Sequence, residues 1–319
     1  MTATPFRAGP RVDTTDGVGI ATYDLGGEGP PLLLAHATGF HGLVWLPLAA
    51  ALRHRYHCWA FDSRGHGASD RAPDGNYDWG GFALDVLAVT RALTGAVTGA
   101  MTAATGAERP RAVGHSCGGA ALLLAEEAEP GTFSALYCYE PVVPIPSGPD
   151  AGGGSSVEAP SDNPLAAGAR RRREVFESRK AALDNYASKP PFTDFDPAAL
   201  EAYVEWGFRD LPDATVQLAC RREDEARVYE MAWRHHAFQH LDRVACPVAL
   251  ASGGRHAHFG IEVITALAAE LRHGGAPVEV HEELGHFGPL ERPVEIAGSI
   301  LRAFDTFDAF DASDSPAVD

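Results

Sequence analysis

"RAVGHSCGGAALLLAEEAE", residues 111–129, is the stretch that decides the fold. A short apolar run ends in a Gly-x-Ser-x-Gly turn and passes at once into an alanine- and leucine-rich segment, the pattern of a buried strand feeding a helix through a sharp bend. Glycines at 114 and 118 allow that bend. Ser116 is then expected in a strained conformation with its hydroxyl pushed out at the strand tip, and the helix start aims the Cys117 backbone N–H at the same place. A hydroxyl beside an outward-facing N–H suits acyl transfer. An ordinary glycine-rich strand-to-helix turn has the same spacing, so the surrounding sequence has to decide.

Outward from this stretch, strands and helices alternate. "PLLLAHA" and "HCWAFD" read as strands buried on both faces, "FSALYCYEPV" as the strand after the Ser116 helix, and "CPVALAS" and "APVEVHEEL" as two more near the C-terminus. "VGIATYDLGG" alternates apolar and polar residues like a half-exposed strand. Helical spacing appears in "VWLPLAAALRHRY", "GFALDVLAVTRALTGAV", "IEVITALAAELRH" and "VEIAGSILRAF". This alternation predicts an α/β protein, a three-layer α/β/α sandwich on a mostly parallel sheet.

Between Pro144 and Ala245 the rhythm stops. A Gly-, Ser- and Pro-rich segment, "IPSGPDAGGGSSVEAPSDNP", is followed by three helix-like stretches: "AGARRRREVFESRKAALDNYA", "DPAALEAYVEWGF" and "EARVYEMAWRHHAFQHL". The expected organisation is a core of residues 1–143 and 246–308, an inserted helical module over 144–245, and an acidic tail over 309–319 that should be flexible.

Composition narrows the function. The chain has 319 residues, 45% of them hydrophobic, enough for an enzyme-sized core. With 43 acidic against 26 basic residues the formal charge is −17, which repels nucleic acid and anionic membranes. The basic run Arg170–Arg173 is followed by glutamates at helical spacing and reads as a solvated face. No secretory leader or membrane span is read, so a cytoplasmic protein without membrane insertion is expected. The five cysteines are scattered and odd in number, which predicts buried free thiols. His235, His236, His240, His256 and His258 are possible ligand types, but no carboxylate or cysteine completes a set at recognisable spacing. No metal or cofactor is expected. The partner is a small-molecule substrate, and the oligomeric state stays open, a homodimer included.

Two further segments bring chemistry to the Ser116 edge. "HATGFHG" (36–42) follows a buried strand, and its small residues could supply a second backbone donor from Thr38, with His36 and His41 structural. "ELGHFGPLERP" puts His286 just after the last strand, where a general base could reach Ser116.

With these motifs in this order, the chain resembles the α/β-hydrolase fold superfamily. The resemblance rests on Gly114–Gly119, the His36 loop, "FDSRGHGASD" (61–70) and Gly285-His286-Phe287. It implies an eight-stranded, mostly parallel sheet, a Ser-acid-His triad and a helical cap after the sixth strand. It also implies that the turn carrying Asp62, Arg64, Gly65, Gly67 and Ser69 is structural. In most members the acid is an aspartate in a G-x-x-D pattern beyond the strand after the cap. Here that segment is "ALASGGRHAHFG", with His256 at the matching position and no aspartate between Asp242 and Asp305. Some members carry the acid at the end of the sixth strand, and Glu140 in "LYCYEPVVP" occupies that place. A carboxylate there need only reach the ring nitrogen of His286 that faces away from Ser116. A salt bridge from Glu140 to a cap arginine, Glu262 as the acid, or a water-assisted Ser-His dyad remain alternatives.

The expectation is a serine hydrolase acting on a small to medium, partly apolar ester, thioester or lactone. Ser116 would be the nucleophile, His286 the base, Glu140 the acid, and Thr38 and Cys117 the oxyanion donors. Phe40, Trp45, Tyr139, His256, His258 and Phe287 are the candidates for the substrate pocket, with Tyr203, Trp206, Phe208 and Trp233 as further aromatic candidates from the insert. C–C bond hydrolysis or acyl transfer could use the same groups. A non-catalytic binding protein on the same fold is the alternative of a different class.

Overall fold

The computed structural model describes residues 5–98, 109–146, 163–255, 261–272 and 277–314. Eight strands form one sheet: β1 (Arg7–Ala8), β2 (Thr22–Gly26), β3 (Pro31–Ala35), β4 (His57–Phe61), β5 (Arg111–His115), β6 (Ala135–Tyr139), β7 (Val248–Gly253) and β8 (Val278–His281). Their order is β1-β2-β4-β3-β5-β6-β7-β8. From β4 to β8 all neighbours are parallel, while β1 and β2 close one edge in antiparallel pairing. The first strand expected from the sequence is broken near Ala21, whose N–H donates to the Ser69 hydroxyl oxygen instead of a ladder partner.

Strand residues alternate between two apolar clusters. Leu32 and Leu34 of β3 enter one with Tyr137 and Ala249, and Leu33 and Ala35 enter the other with Leu136 and Leu250. The first cluster is closed by α1 (Leu46–Leu52), the short α9 (Gly288–Glu291) and α10 (Pro293–Asp314), the second by α2 (Trp79–Thr98), α3 (Cys117–Ala128) and α8 (Ile261–Glu270). Strands apolar on both faces therefore end up covered on both faces, which is why they carry continuous runs. The three-layer α/β/α sandwich follows.

The insert between β6 and β7 is less purely helical than its sequence suggests. The stretch from Ala167 to Ala187 splits into α4 (Pro164–Arg171), a two-residue strand Val175–Phe176, and α5 (Arg179–Ala187). Asn163 and Ser178 cap the two helices through side-chain oxygens, so each helix has its own start. Val175–Phe176 joins Phe208–Asp210 and Val216–Leu218 in a small antiparallel sheet, flanked by α6 (Pro197–Trp206) and α7 (Arg222–Met231). The last expected insert helix stops at Met231, and residues 237–243 form a 3-10 turn, so His236 and His240 do not share an α-helical face.

The acidic tail is helical further than expected. Helix α10 runs to Asp314, and it is tied down by ion pairs from Arg55 to Asp305 and from Arg111 to Asp308. Residues 315–319 and the bulk of the Gly/Ser-rich segment lie outside the described residues. All five cysteines are buried free thiols. No helix among the described residues is long and apolar enough to cross a membrane.

Candidate active site

Ser116 stands between β5 and α3 with φ 55° and ψ −118°, a conformation unusual for a residue with a side chain. Its glycine neighbours explain how the chain tolerates this. A Cβ on Gly114 would lie 2.6 Å from the Gly119 backbone, and one on Gly118 would lie 2.3 Å from the Ala35 carbonyl oxygen. Strand, turn and helix can come together only without those side chains. The hydroxyl of Ser116 opens on a cavity, although the residue is only 8% exposed.

Glu140 follows the last residue of β6 and is fully buried, with φ 42°. Its N–H still pairs with the Ala251 carbonyl oxygen at 2.8 Å, while its side chain turns along the sheet edge. Oε1 accepts from the Gly253 N–H at 2.9 Å and from the Ser252 hydroxyl at 3.3 Å. Oε2 lies 2.6 Å from Nδ1 of His286. A buried carboxylate without partners is costly, and here every oxygen has one. The salt bridge to a cap arginine considered from sequence is not the arrangement found: the ionisable partner is His286.

His286 is held as firmly as the carboxylate that it meets. His115 Nε2 donates to its carbonyl oxygen at 2.7 Å, and the two rings lie 4.9 Å apart. The Tyr139 hydroxyl donates to the Gly285 carbonyl oxygen at 2.9 Å, and Glu291 accepts from the Gly285 N–H at 3.2 Å. A neutral imidazole that donates from Nδ1 to Glu140 carries its lone pair on Nε2. Burial lowers the pKa of His115 well below the usual histidine range, so it stays a neutral clamp. No motif marks His115 or Glu291 for this role, because both act through backbone atoms of the His286 loop.

The loop from 36 to 42 approaches from β3. Phe40 N–H donates to the Ala37 carbonyl oxygen at 3.2 Å and Gly39 has φ +82°, the signature of a type II turn with Thr38 and Gly39 at its centre. Gly39 N–H donates to His66 Nε2 at 3.0 Å. His36 Nε2 in turn accepts from the Ser63 N–H at 3.0 Å, tying this loop to the turn after β4. Asp62 organises that turn by accepting from Gly42 N–H and Ala68 N–H, both at 2.7 Å. His36, His41 and His66 all have pKa values lowered by burial, which fits neutral structural roles. Among the described residues neither the Thr38 nor the Cys117 backbone N–H donates to a protein acceptor.

Thr38, Ser116 and His286 border one cavity of about 100 Å³. Thr38, Ser116, His286 and Phe287 line it from the core, and Asn163, Leu165, Tyr229 and Trp233 line it from the insert. Of the pocket candidates read from the sequence, Phe287 and Trp233 are on this wall, while Tyr203 and Phe208 are buried in the core. Phe40 is buried behind it, with its ring 5.5 Å from that of Phe287. Trp45 and Tyr139 do not line the cavity: Trp45 packs in the core at the start of α1, and the Tyr139 hydroxyl is bonded to Gly285. His256 and His258 lie outside the described residues. Tyr229 and Leu165 escape sequence reasoning, since their place depends on how the insert folds over the sheet. A larger groove of about 610 Å³ between α1, α5 and α6 contains Trp206 and none of Thr38, Ser116 and His286. Among the described residues no cluster of His, Cys, Asp and Glu could hold a metal ion.

Comparison with known proteins places the fold. The model of the alpha/beta hydrolase family matches residues 32–299. A non-heme chloroperoxidase from Streptomyces lividans is 31% identical over 175 residues, covering 54% of this chain and 53% of that protein. The match thus spans about half the length of this curated relative. Among solved structures, the peroxisomal alpha-beta-hydrolase of Saccharomyces cerevisiae superposes with a TM-score of 0.76 at 16% identity, over 99% of this chain and 92% of that one. E-2-(acetamidomethylene)succinate hydrolase gives 0.72 at 20% identity, over 94% and 99% of the two chains. The enol-lactonase from Burkholderia xenovorans gives 0.66 at 18% identity, over 93% and 100%. At these identities the structural likeness is one of fold.

Proposed function

The chain belongs to the alpha/beta hydrolase family, and from that premise we propose that it is a serine hydrolase of small, partly apolar carboxylic esters, thioesters or lactones, working through an acyl-enzyme. Ser116 attacks the carbonyl while His286 Nε2 takes its proton. Glu140 holds the Nδ1–H and stabilises the imidazolium that forms. The Thr38 and Cys117 N–H groups receive the negative charge that develops on the carbonyl oxygen. His286 then returns the proton to the leaving group, and water attacks the acyl-enzyme by the same route in reverse.

The observation that carries this reading is the 2.6 Å contact between His286 Nδ1 and a fully buried Glu140. A carboxylate kept dry, triply partnered and aimed at one ring nitrogen fixes a tautomer, and a merely structural histidine would not need that. The small cavity favours a short acyl group. The free Thr38 and Cys117 donors speak against a binding protein that has lost its chemistry.

A fluorophosphonate probe, which adds to an activated serine, tests the reading. Wild-type protein is expected to label and the Ser116→Ala variant to remain unlabelled. Folded wild type that stays unlabelled between pH 6 and 9 would overturn the assignment. The hydrolysis rates of p-nitrophenyl esters of rising chain length should fall beyond the short acyl groups.

A further inference from the structure

The turn that carries Thr38 is gripped from two sides. On the core side, His66 takes the Gly39 N–H. On the other side lies a charged pair that the proposed chemistry does not use. Arg172, just after α4, donates to Glu225 of α7 at 2.5 Å, and its second guanidinium nitrogen reaches the hydroxyls of Tyr186 at 3.0 Å and of Tyr203. Both charged side chains are largely buried, at 19% and 6% exposure. A Cβ placed on Gly39 would lie 2.7 Å from Glu225 Oε1 and 3.4 Å from Arg172 Nη1, so the pair sits directly on the turn.

We propose that the Arg172–Glu225 pair positions the Ala37–Phe40 turn, so that seating of the insert sets where the Thr38 N–H points. This rests on the hydrolase reading for its consequence, though not for its geometry. Buried ion pairs are weak sources of stability, because desolvation offsets their attraction, and apolar residues of similar volume often serve as well. Placement is a better account of this one. The central peptide of a type II turn can flip by about half a turn into the type I arrangement. Such a flip would take the Gly39 N–H away from His66 and disturb the neighbouring Thr38 peptide. The pair fills the side of Gly39 where no side chain can be, and α7 is itself anchored by an ion pair between Asp224 and Arg71 of the core. Arg172 also offsets the Glu225 charge, which would otherwise oppose an oxyanion forming nearby. Arg172 and Glu225 are thus positioning residues that act through Thr38.

The test compares full-length wild type with Arg172→Met/Glu225→Met, which removes both charges together, and with Glu225→Gln, which keeps shape and a hydrogen-bond acceptor. With p-nitrophenyl acetate, kcat of the double variant is expected to fall about 10- to 100-fold with KM within about threefold. Inhibition by phenylboronic acid, whose serine adduct places an oxygen at the oxyanion position, should weaken by a matching factor. Glu225→Gln should recover most of both losses. Hydrogen exchange in the 36–43 segment should speed up in the double variant while the other core segments keep their protection. If the double variant does not fold, Arg172→Lys carries the same expectations at smaller size. A folded variant with unchanged kcat, boronate inhibition and exchange would overturn the proposal, as would a loss confined to KM. Faster exchange in a protein whose wild type shows no hydrolysis would leave the positioning role standing and remove the hydrolase reading instead.

Discussion

The tips of β6 and β7 lie side by side at the edge of the sheet, and each supplies half of one interaction. The β6 tip ends in Glu140, an acceptor; the β7 tip ends in Ser252 and Gly253, which donate to it. In the family pattern that the sequence resembles, the acid stands beyond the β7 tip. Here the β7 tip has no carboxylate to offer and has become the support for the one next door. The difference teaches that a histidine on the loop after β8 can be oriented from either neighbouring tip, provided that the other one meets the carboxylate's hydrogen-bonding needs.

The largest effect should come from breaking the acceptor half. Glu140→Gln preserves volume and leaves the amide able to accept from the Gly253 N–H. It cannot stabilise an imidazolium, and its amide N–H favours the wrong histidine tautomer. A fall of about 10³- to 10⁴-fold in kcat is expected with p-nitrophenyl acetate, with little change in circular dichroism. Activity within tenfold of wild type would move the acid elsewhere.

Breaking the donor half should cost less. A Cβ on Gly253 would lie 2.5 Å from the Leu284 carbonyl oxygen and 2.6 Å from that of Gly285. Both are backbone atoms in the approach to His286, so they can yield only by moving the loop. For Gly253→Ala we expect about 1–3 kcal/mol of lost stability from overpacking, read by urea unfolding. Displacement of His286 should lower kcat about 10- to 100-fold. Wild-type kcat in this variant would mean that the β7 tip is not a tight support.

The same comparison explains what is legible in the sequence. Ser116, Glu140 and His286 can be found there because each sits at the end of a strand that its own local pattern announces, and strand ends of a parallel sheet share one edge. The small residues around Thr38 are legible for the same reason. The wall of the cavity is legible only at Phe287 and Trp233. Trp45 and Tyr139 are aromatic residues near the right edge, but burial of Trp45 against α1 and the hydroxyl bond from Tyr139 to Gly285 are decided by tertiary packing. The insert's strands are two or three residues long, too short for any periodicity to register, so helical spacing runs straight through Val175–Phe176. The capping residue Ser178 is visible, but the helical spacing around it outweighs it.

The smallest effect should come from the carboxylate nearest to the family's acid position on the β7 side. Glu262 is exposed in the first turn of α8. There a negative side chain interacts with the positive end of the helix, which contributes about 0.3–1 kcal/mol at most. Glu262→Gln should therefore lower the melting temperature slightly and leave kcat within about twofold of wild type. Solvent screens a charge at such a site from His286, and side-chain freedom there would blur any orienting role. A loss comparable to that of Glu140→Gln would show that the β7 side supplies an acid after all, and the division of labour between the two tips would fail. A neutral outcome beside a large Glu140 effect would fix the acceptor at β6, because the two variants make the same chemical change at positions that differ in burial and reach.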